Sequence, residues 1–242
     1  MVVTFLKLLA SFAGVYVLTG ALLHYWVFPE PSPGPSSQPA AGDEIVNRLS
    51  GERLVFLRTG CETGGSYTEN ELHLQPRGAV PKAHIHLNED ETFEIVSGHL
   101  TLMENGRELV LGPGDSHTVP KGVAHQPFNR SSEPVVARVR ITPAGRMDLM
   151  LAQVHGFLTE KATPRTEWEW FMQAMLYSAY YGTYLAQPPV AVQKLLSFLV
   201  SPTARLLGYR SWYPAYSQKW KRSCCGGGCS ASSWPATPKR PA

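Results

Sequence analysis

Three histidines and one glutamate between Gly78 and Asn129 constrain this 242-residue chain more than any other feature of it. The first block reads Gly78, five residues, His84-Ile85-His86, four residues, Glu91, six residues, Gly98. The second reads Gly114, five residues, Pro120-Lys121-Gly122, two residues, His125, three residues, Asn129. Side chains alternate faces along a strand, so His84 and His86 point to one side and can grip one ion. Glu91 adds an anionic oxygen and His125 returns from a distant strand. Only a closed or rolled sheet brings the four together. Imidazole with carboxylate suits one divalent transition metal: iron(II) first, then manganese, nickel, zinc or copper.

These blocks resemble both signature motifs of the cupin superfamily, with every signature position filled, the glycines, proline and asparagine included. The fifteen residues between them, His99 to Pro113, are similar to the spacer of compact single-domain cupins. The resemblance covers roughly residues 52–145. It implies a small antiparallel β-barrel, a double-stranded β-helix, with a mononuclear metal held by His84, His86, Glu91 and His125. It implies no single reaction, since cupins include dioxygenases, isomerases, decarboxylases, sensors and storage proteins.

Local patterning agrees with a mainly β fold. Residues 53–59, 66–75, 92–96, 99–104, 108–111 and 134–141 are short runs with partial alternation, broken by glycine, proline or asparagine. Many short strands of this kind suggest a sandwich or barrel rather than βαβ units. Asn105-Gly106 is a hairpin-turn signal. His73, Glu71 and Gln75 alternate on one strand and are read as donors around the metal ligands; Gln126 and Phe128, flanking His125, are read as lining the barrel. Glu89 is close enough to replace Glu91 if the loop register differs. Taken singly, His73, His99, His117 and His155 are each read as a packing or surface residue.

Four protein ligands on a six-coordinate ion leave two adjacent positions for water, dioxygen or a chelating substrate. Three histidines plus a glutamate resemble the set of cupin oxygenases, so the first expectation is a metal-dependent oxidoreductase, dioxygenase-like, acting on an apolar small molecule. An isomerase or cyclase, and a non-catalytic binding module at a membrane, stay open beside it.

Outside the barrel, residues 5–28 (FLKLLASFAGVYVLTGALLHYWVF) are apolar apart from Lys7 and His24. That length spans a bilayer as a helix, with Tyr25 and Trp26 at the interface. A signal peptide cut near Thr19-Gly20-Ala21 is the competing reading, but the apolar run continues past that point. Residues 1–28 are therefore expected to be a single-pass transmembrane anchor, its topology undetermined, followed by a Pro-rich linker over 29–50 and the barrel over 51–145.

Residues 146–222 change to helical spacing. Helices are expected over 147–158, over 167–186 with its many tryptophans and tyrosines, and over 190–200, stopped by Pro202. From Trp170 onward there is no acidic residue and the net charge is +8. An aromatic, basic segment on an anchored protein reads as lying on an anionic membrane, or as an ordinary helical extension packed on the barrel. Expected partners are therefore an apolar substrate and membrane lipid, not nucleic acid; a homodimer is left open. Cys224, Cys225 and Cys229 sit in a tail, 223–242, read as disordered, where palmitoylation fits better than zinc.

Overall fold

The computed structural model describes residues 2–27, 33–34 and 37–217. An N-terminal helix, α1 (Val2–Leu22), continues into a wider turn over Leu23–Val27. Ten strands follow: β1 (Glu44–Asn47), β2 (Glu52–Arg58), β3 (Thr68–Leu74), β4 (His84–His86), β5 (Asp90–Ser97), β6 (Leu100–Glu104), β7 (Arg107–Leu111), β8 (Ser116–Val119), β9 (His125–Phe128) and β10 (Val135–Thr142). Then come α2 (Met147–Thr159), α3 (Glu167–Tyr181), a short strand β11 (Thr183–Leu185), α4 (Val190–Leu206) and α5 (Pro214–Ser217).

The strands form two antiparallel sheets, ordered β1-β2-β3-β10-β5-β8 and β11-β4-β9-β6-β7. Leu54, Leu72, Phe93 and Ile95 from the first and Leu100, Leu102 and Leu111 from the second meet in one buried core. Inward residues alternate with outward ones, as in β3, where Thr68, Asn70, Leu72 and Leu74 are buried and the three residues between are not. The expected barrel takes the form of two facing sheets, each keeping its own edges among the described residues. From β3 to β10 the chain switches sheets at every connection except the β6–β7 hairpin, rather than continuing one ladder. The β6–β7 hairpin turns on Asn105 (φ 48°) and Gly106 (φ 78°), the positive values a tight two-residue turn requires.

Three expectations change outside the two motifs. Glu44–Asn47, inside the expected linker over 29–50, is strand β1, paired with β2. The second helix stops at Tyr181, five residues short of the expected end, because Gly182 takes the left-handed conformation (φ 75°) that closes it. Its start is as expected, with a capping box between Thr166 and Glu169. The third helix runs through Pro202 to Leu206. There the Pro202 ring packs 3.3 Å from where a Cβ on Gly20 would stand, and Tyr16 Oη donates to the nearby Leu199 carbonyl at 2.5 Å. Packing against α1 thus supports a helix that proline alone would break.

Half of the six aromatic residues of α3 are core residues: Tyr177, Tyr180 and Tyr181 are buried with α2's Met147, Leu149 and Phe157 against the sheets. Trp168 alone among them is exposed. Helix α1 is long and apolar enough to cross a membrane and buries none of its residues. Cys61, isolated in sequence, is disulfide-bonded. The other cysteines, with the palmitoylation reading and the disordered-tail reading of 223–242, lie outside the described residues.

Candidate metal centre and its cavity

Strand β4 lies between β9 and β11 in the second sheet, and His84 stands directly opposite His125 on β9. His84 and His86 share the inward face of β4, as their i, i+2 spacing requires. Glu91 comes from the facing sheet, on β5, across the core. The four residues bring one ligand atom each within 4.8 Å of one another, so they could hold a metal ion. Glu89 stays outside the set: its carboxylate caps the Asn88 backbone N–H and packs against Gly145.

The donors that hold the imidazoles also orient them. His84 Nδ1 donates to the Lys82 carbonyl at 3.0 Å and His125 Nδ1 to the Val123 carbonyl at 3.1 Å. A carbonyl can only accept, so both rings carry a proton on Nδ1 and turn Nε2 inward; the Nε2 of His84 is then free to ligate, while that of His125 meets Glu91. His86 Nδ1 lies 3.0 Å from Thr183 Oγ1, on β11. Glu91 Oε2 sits 2.6 Å from His125 Nε2 and 3.4 Å from His86 Nε2.

Electrostatics follow from burial and pairing. Burial, with the neighbouring His125 and His86, lowers the His84 imidazole to about 3, so it stays neutral. Burial opposes charge on Glu91, yet hydrogen bonds from His125 and His86 outweigh it and hold the carboxyl well below its usual range. Burial likewise pulls His125 down, but the Glu91 contact prevails and raises it. A neutral imidazole beside an ionised carboxylate is the donor chemistry of a divalent metal site. The residues fit the group.

The cluster opens on a cavity of about 140 Å³ between the sheets and helices α2 and α3. Its wall is largely apolar, with Leu54, Leu72, Met150, Val154, Trp170 and Tyr181 among the lining residues. Lys82, Thr183, Asn70 and a Glu52–His155 pair supply polar groups.

The residues expected around the ligands are placed elsewhere. His73 is outward on β3, bonded to Glu71 at 2.7 Å and to Arg53 at 3.2 Å, because Leu72 and Leu74 take the inward parity. Gln126 and Phe128 are also outward: Gln126 donates to the Val80 carbonyl and Phe128 lies under Arg130, while His125 and Pro127 face in. His155, read as a packing residue, lines the cavity. Thr183 was missed because the helix reading ran past Gly182, the one sequence signal for a break there.

Residues 70–141 match the sequence model of a family described as the cupin domain. Among solved structures, a sugar phosphate isomerase of a cupin superfamily from Silicibacter pomeroyi is 27% identical, the match covering 46% of this chain and 75% of that one, at a TM-score of 0.35. A predicted oxalate decarboxylase from Thermotoga maritima is 19% identical over 43% of this chain and 93% of that one, at a TM-score of 0.39. A sugar phosphate isomerase-like structure from Acidithiobacillus ferrooxidans is 25% identical over 42% and 67%, at 0.35. No curated protein matches. Overlaps this partial say nothing about what this chain binds. The chain carries a cupin domain over residues 70–141, with all four clustered donors inside it.

Proposed function

We propose that this protein is a metal-dependent oxidoreductase acting on a small, mainly apolar molecule, with His84, His86, Glu91 and His125 holding one divalent transition metal, iron(II) first. One observation carries the reading: three of the four converging donors, His84, His86 and Glu91, line a largely apolar cavity. A cavity near this size lined by aliphatic and aromatic side chains takes a molecule of about benzene's bulk. A bound metal would supply Lewis acidity or dioxygen activation there. The chain's own part is to orient the ligands, through Lys82, Val123 and Thr183, and to exclude water with the α2–α3 roof. A phosphorylated sugar suits this wall poorly, since Lys82 is the only lysine or arginine lining it among the described residues.

The same reading places the two sheets as a rolled cupin barrel tethered to a membrane by α1. Helix α4 packs on α1 through Leu199 and Pro202, and like α1 it exposes apolar side chains, Val192, Leu195 and Phe198. The roof over the cavity would then lie at the bilayer, giving a lipophilic substrate a short path.

The test is metal content of the full chain in detergent, purified without added metal, beside a His84→Ala/His86→Ala variant. Iron or manganese near one per chain, lost in the variant, supports the reading and makes dioxygen consumption the next assay. Zinc or nickel turns it toward isomerisation. A folded protein that takes up no metal on reconstitution overturns it and leaves a binding module.

A further inference from the structure

The cavity holds polar groups that the metal cluster does not use. Asn70 is only 1% exposed, and its side-chain oxygen has no hydrogen-bond partner. Glu52 and His155, each 3% exposed, line the same cavity from β2 and α2. His155 Nε2 lies 3.0 Å from Glu52 Oε2 as an ion pair, but out of line for a hydrogen bond, while its Nδ1 donates to the Leu151 carbonyl. Glu52 Oε2 also lies 3.5 Å from Ser50 Oγ. Asn70 Oδ1 is thus a buried acceptor without a partner among the described residues, and a buried acceptor left unmet is costly enough to call for an explanation.

Their place in the sheet is informative. Asn70 stands opposite Val139 on β10, which stands opposite Phe93 on β5, one inward position from Glu91. Two strand spacings, about 10 Å along the sheet, separate Asn70 from the strand of Glu91. Glu52 is one strand further, opposite Leu74 at the other end of β3. Four residues along the strand and one strand spacing, about 14 Å, separate Glu52 from Asn70, with Leu54 and Leu72 between them, so Asn70 stands apart from the Glu52–His155 pair.

We propose that Asn70 binds a hydroxyl group of the ligand on the cavity wall two strand spacings from the strand of Glu91. An acceptor without a donor selects a ligand that brings one. Asn70 is neutral and its neighbours on the wall, Leu72 and Val139, are apolar, so it asks for a neutral hydroxyl rather than an ammonium. Fastening of α2 to β2 explains the Glu52–His155 ion pair but leaves Asn70 unexplained, since its side-chain oxygen bonds to nothing among the described residues. The inference rests on the cavity being a ligand site, but not on the metal.

The test uses the full chain stripped of metal by chelator, titrated with 4-fluorobenzyl alcohol, 4-fluorotoluene and 4-fluorobenzylamine and read by fluorine NMR. The alcohol is expected to bind at least about tenfold tighter than the toluene, about 1.4 kcal/mol, and tighter than the amine. Asn70→Leu, close in shape, should cut that preference to within about threefold while raising the melting temperature, because it removes an unmet buried acceptor. Equal affinities for alcohol and toluene overturn the proposal, as does a tighter amine. It is also overturned if the preference survives Asn70→Leu, or if that variant melts lower, the mark of a structural role. Because no metal is present, failure here leaves the metal reading standing, and failure of the metal assay leaves this one.

Discussion

The sheet region around the two motifs and the helical region after it meet at strand β4, and they reached that meeting by different means. The motif region carries its chemistry in local spacing: two histidines on one strand face, and a third set opposite His84 by register. The helical region carries no such pattern, yet it adds β11 to β4, roofs the cavity with α3 and orients His86 through Thr183. Chemistry that needs particular atoms leaves a pattern in sequence. A wall that needs only bulk and apolarity does not, and it reads equally well as a membrane face.

The sharpest way to break the comparison is to remove one region's donor. His125→Ala is expected to lower metal affinity by at least about a thousandfold, beyond the 10–100-fold typical of losing an outer partner. Competition against a graded chelator measures it. Retention of stoichiometric metal in that variant would mean the motif does not hold the ion.

Next in size is a test of whether the helical region is an appendage. Phe157 on α2 is buried against Trp170 and Tyr177 of α3, with Arg165 over its ring. Phe157→Ala should cost about 3–5 kcal/mol. If the roof and sheets fold as one unit, urea unfolding stays a single transition moved to lower denaturant. An unmoved sheet transition beside a weakened helical one would separate the two regions.

What the sequence disclosed follows the same division. Parity along β4 was legible, and so were six of the strands and the starts of three of the four C-terminal helices. Parity along β3 was legible too but misread: Leu72 and Leu74 mark the inward face, which puts Asn70 inside and His73 out with Arg53. By the same rule Pro127, not Gln126 or Phe128, shares the face of His125. The three-residue strand β11 was not legible, because its pairing partner is about a hundred residues away and nothing local distinguishes Thr183-Tyr184-Leu185 from a helix end. The tyrosines of α3 were ambiguous on physical grounds, since a core and a bilayer interface both favour an apolar ring with a polar tip.

A smaller effect joins the regions through a proton. Asp148 on α2 accepts from Gly60 N at 2.6 Å and from Thr68 Oγ1 on β3, and burial raises its carboxyl to about 6. An unfolded aspartate ionises near 3.9. Between those values the folded protein holds the extra proton, so this group's stabilisation is complete below about pH 4 and is lost as pH rises through 6. Two pKa units correspond to about 2–3 kcal/mol. Asp148→Asn should flatten that part of the stability profile, seen as urea midpoints that converge differently with the parent between pH 4 and 7. A parallel profile would mean Asp148 is ionised throughout.

The finest test asks whether the helical region tunes the motif's chemistry or merely covers it. Thr183 reaches His86 from a strand that exists because Gly182 ends α3 and lets three residues pair with β4. Thr183→Val keeps the β-branched shape and the ladder but removes the hydroxyl, so His86 loses the partner that fixes its ring. The expected cost is about 10–100-fold in metal affinity, with little change in melting temperature of the metal-free protein. Thr183→Ser, which restores the oxygen, should recover most of the loss. Rescue by serine would show that the hydroxyl orients the ligand. Equal affinity in the valine variant would instead reduce β11 to a cover over β4, with the motif region alone setting the site.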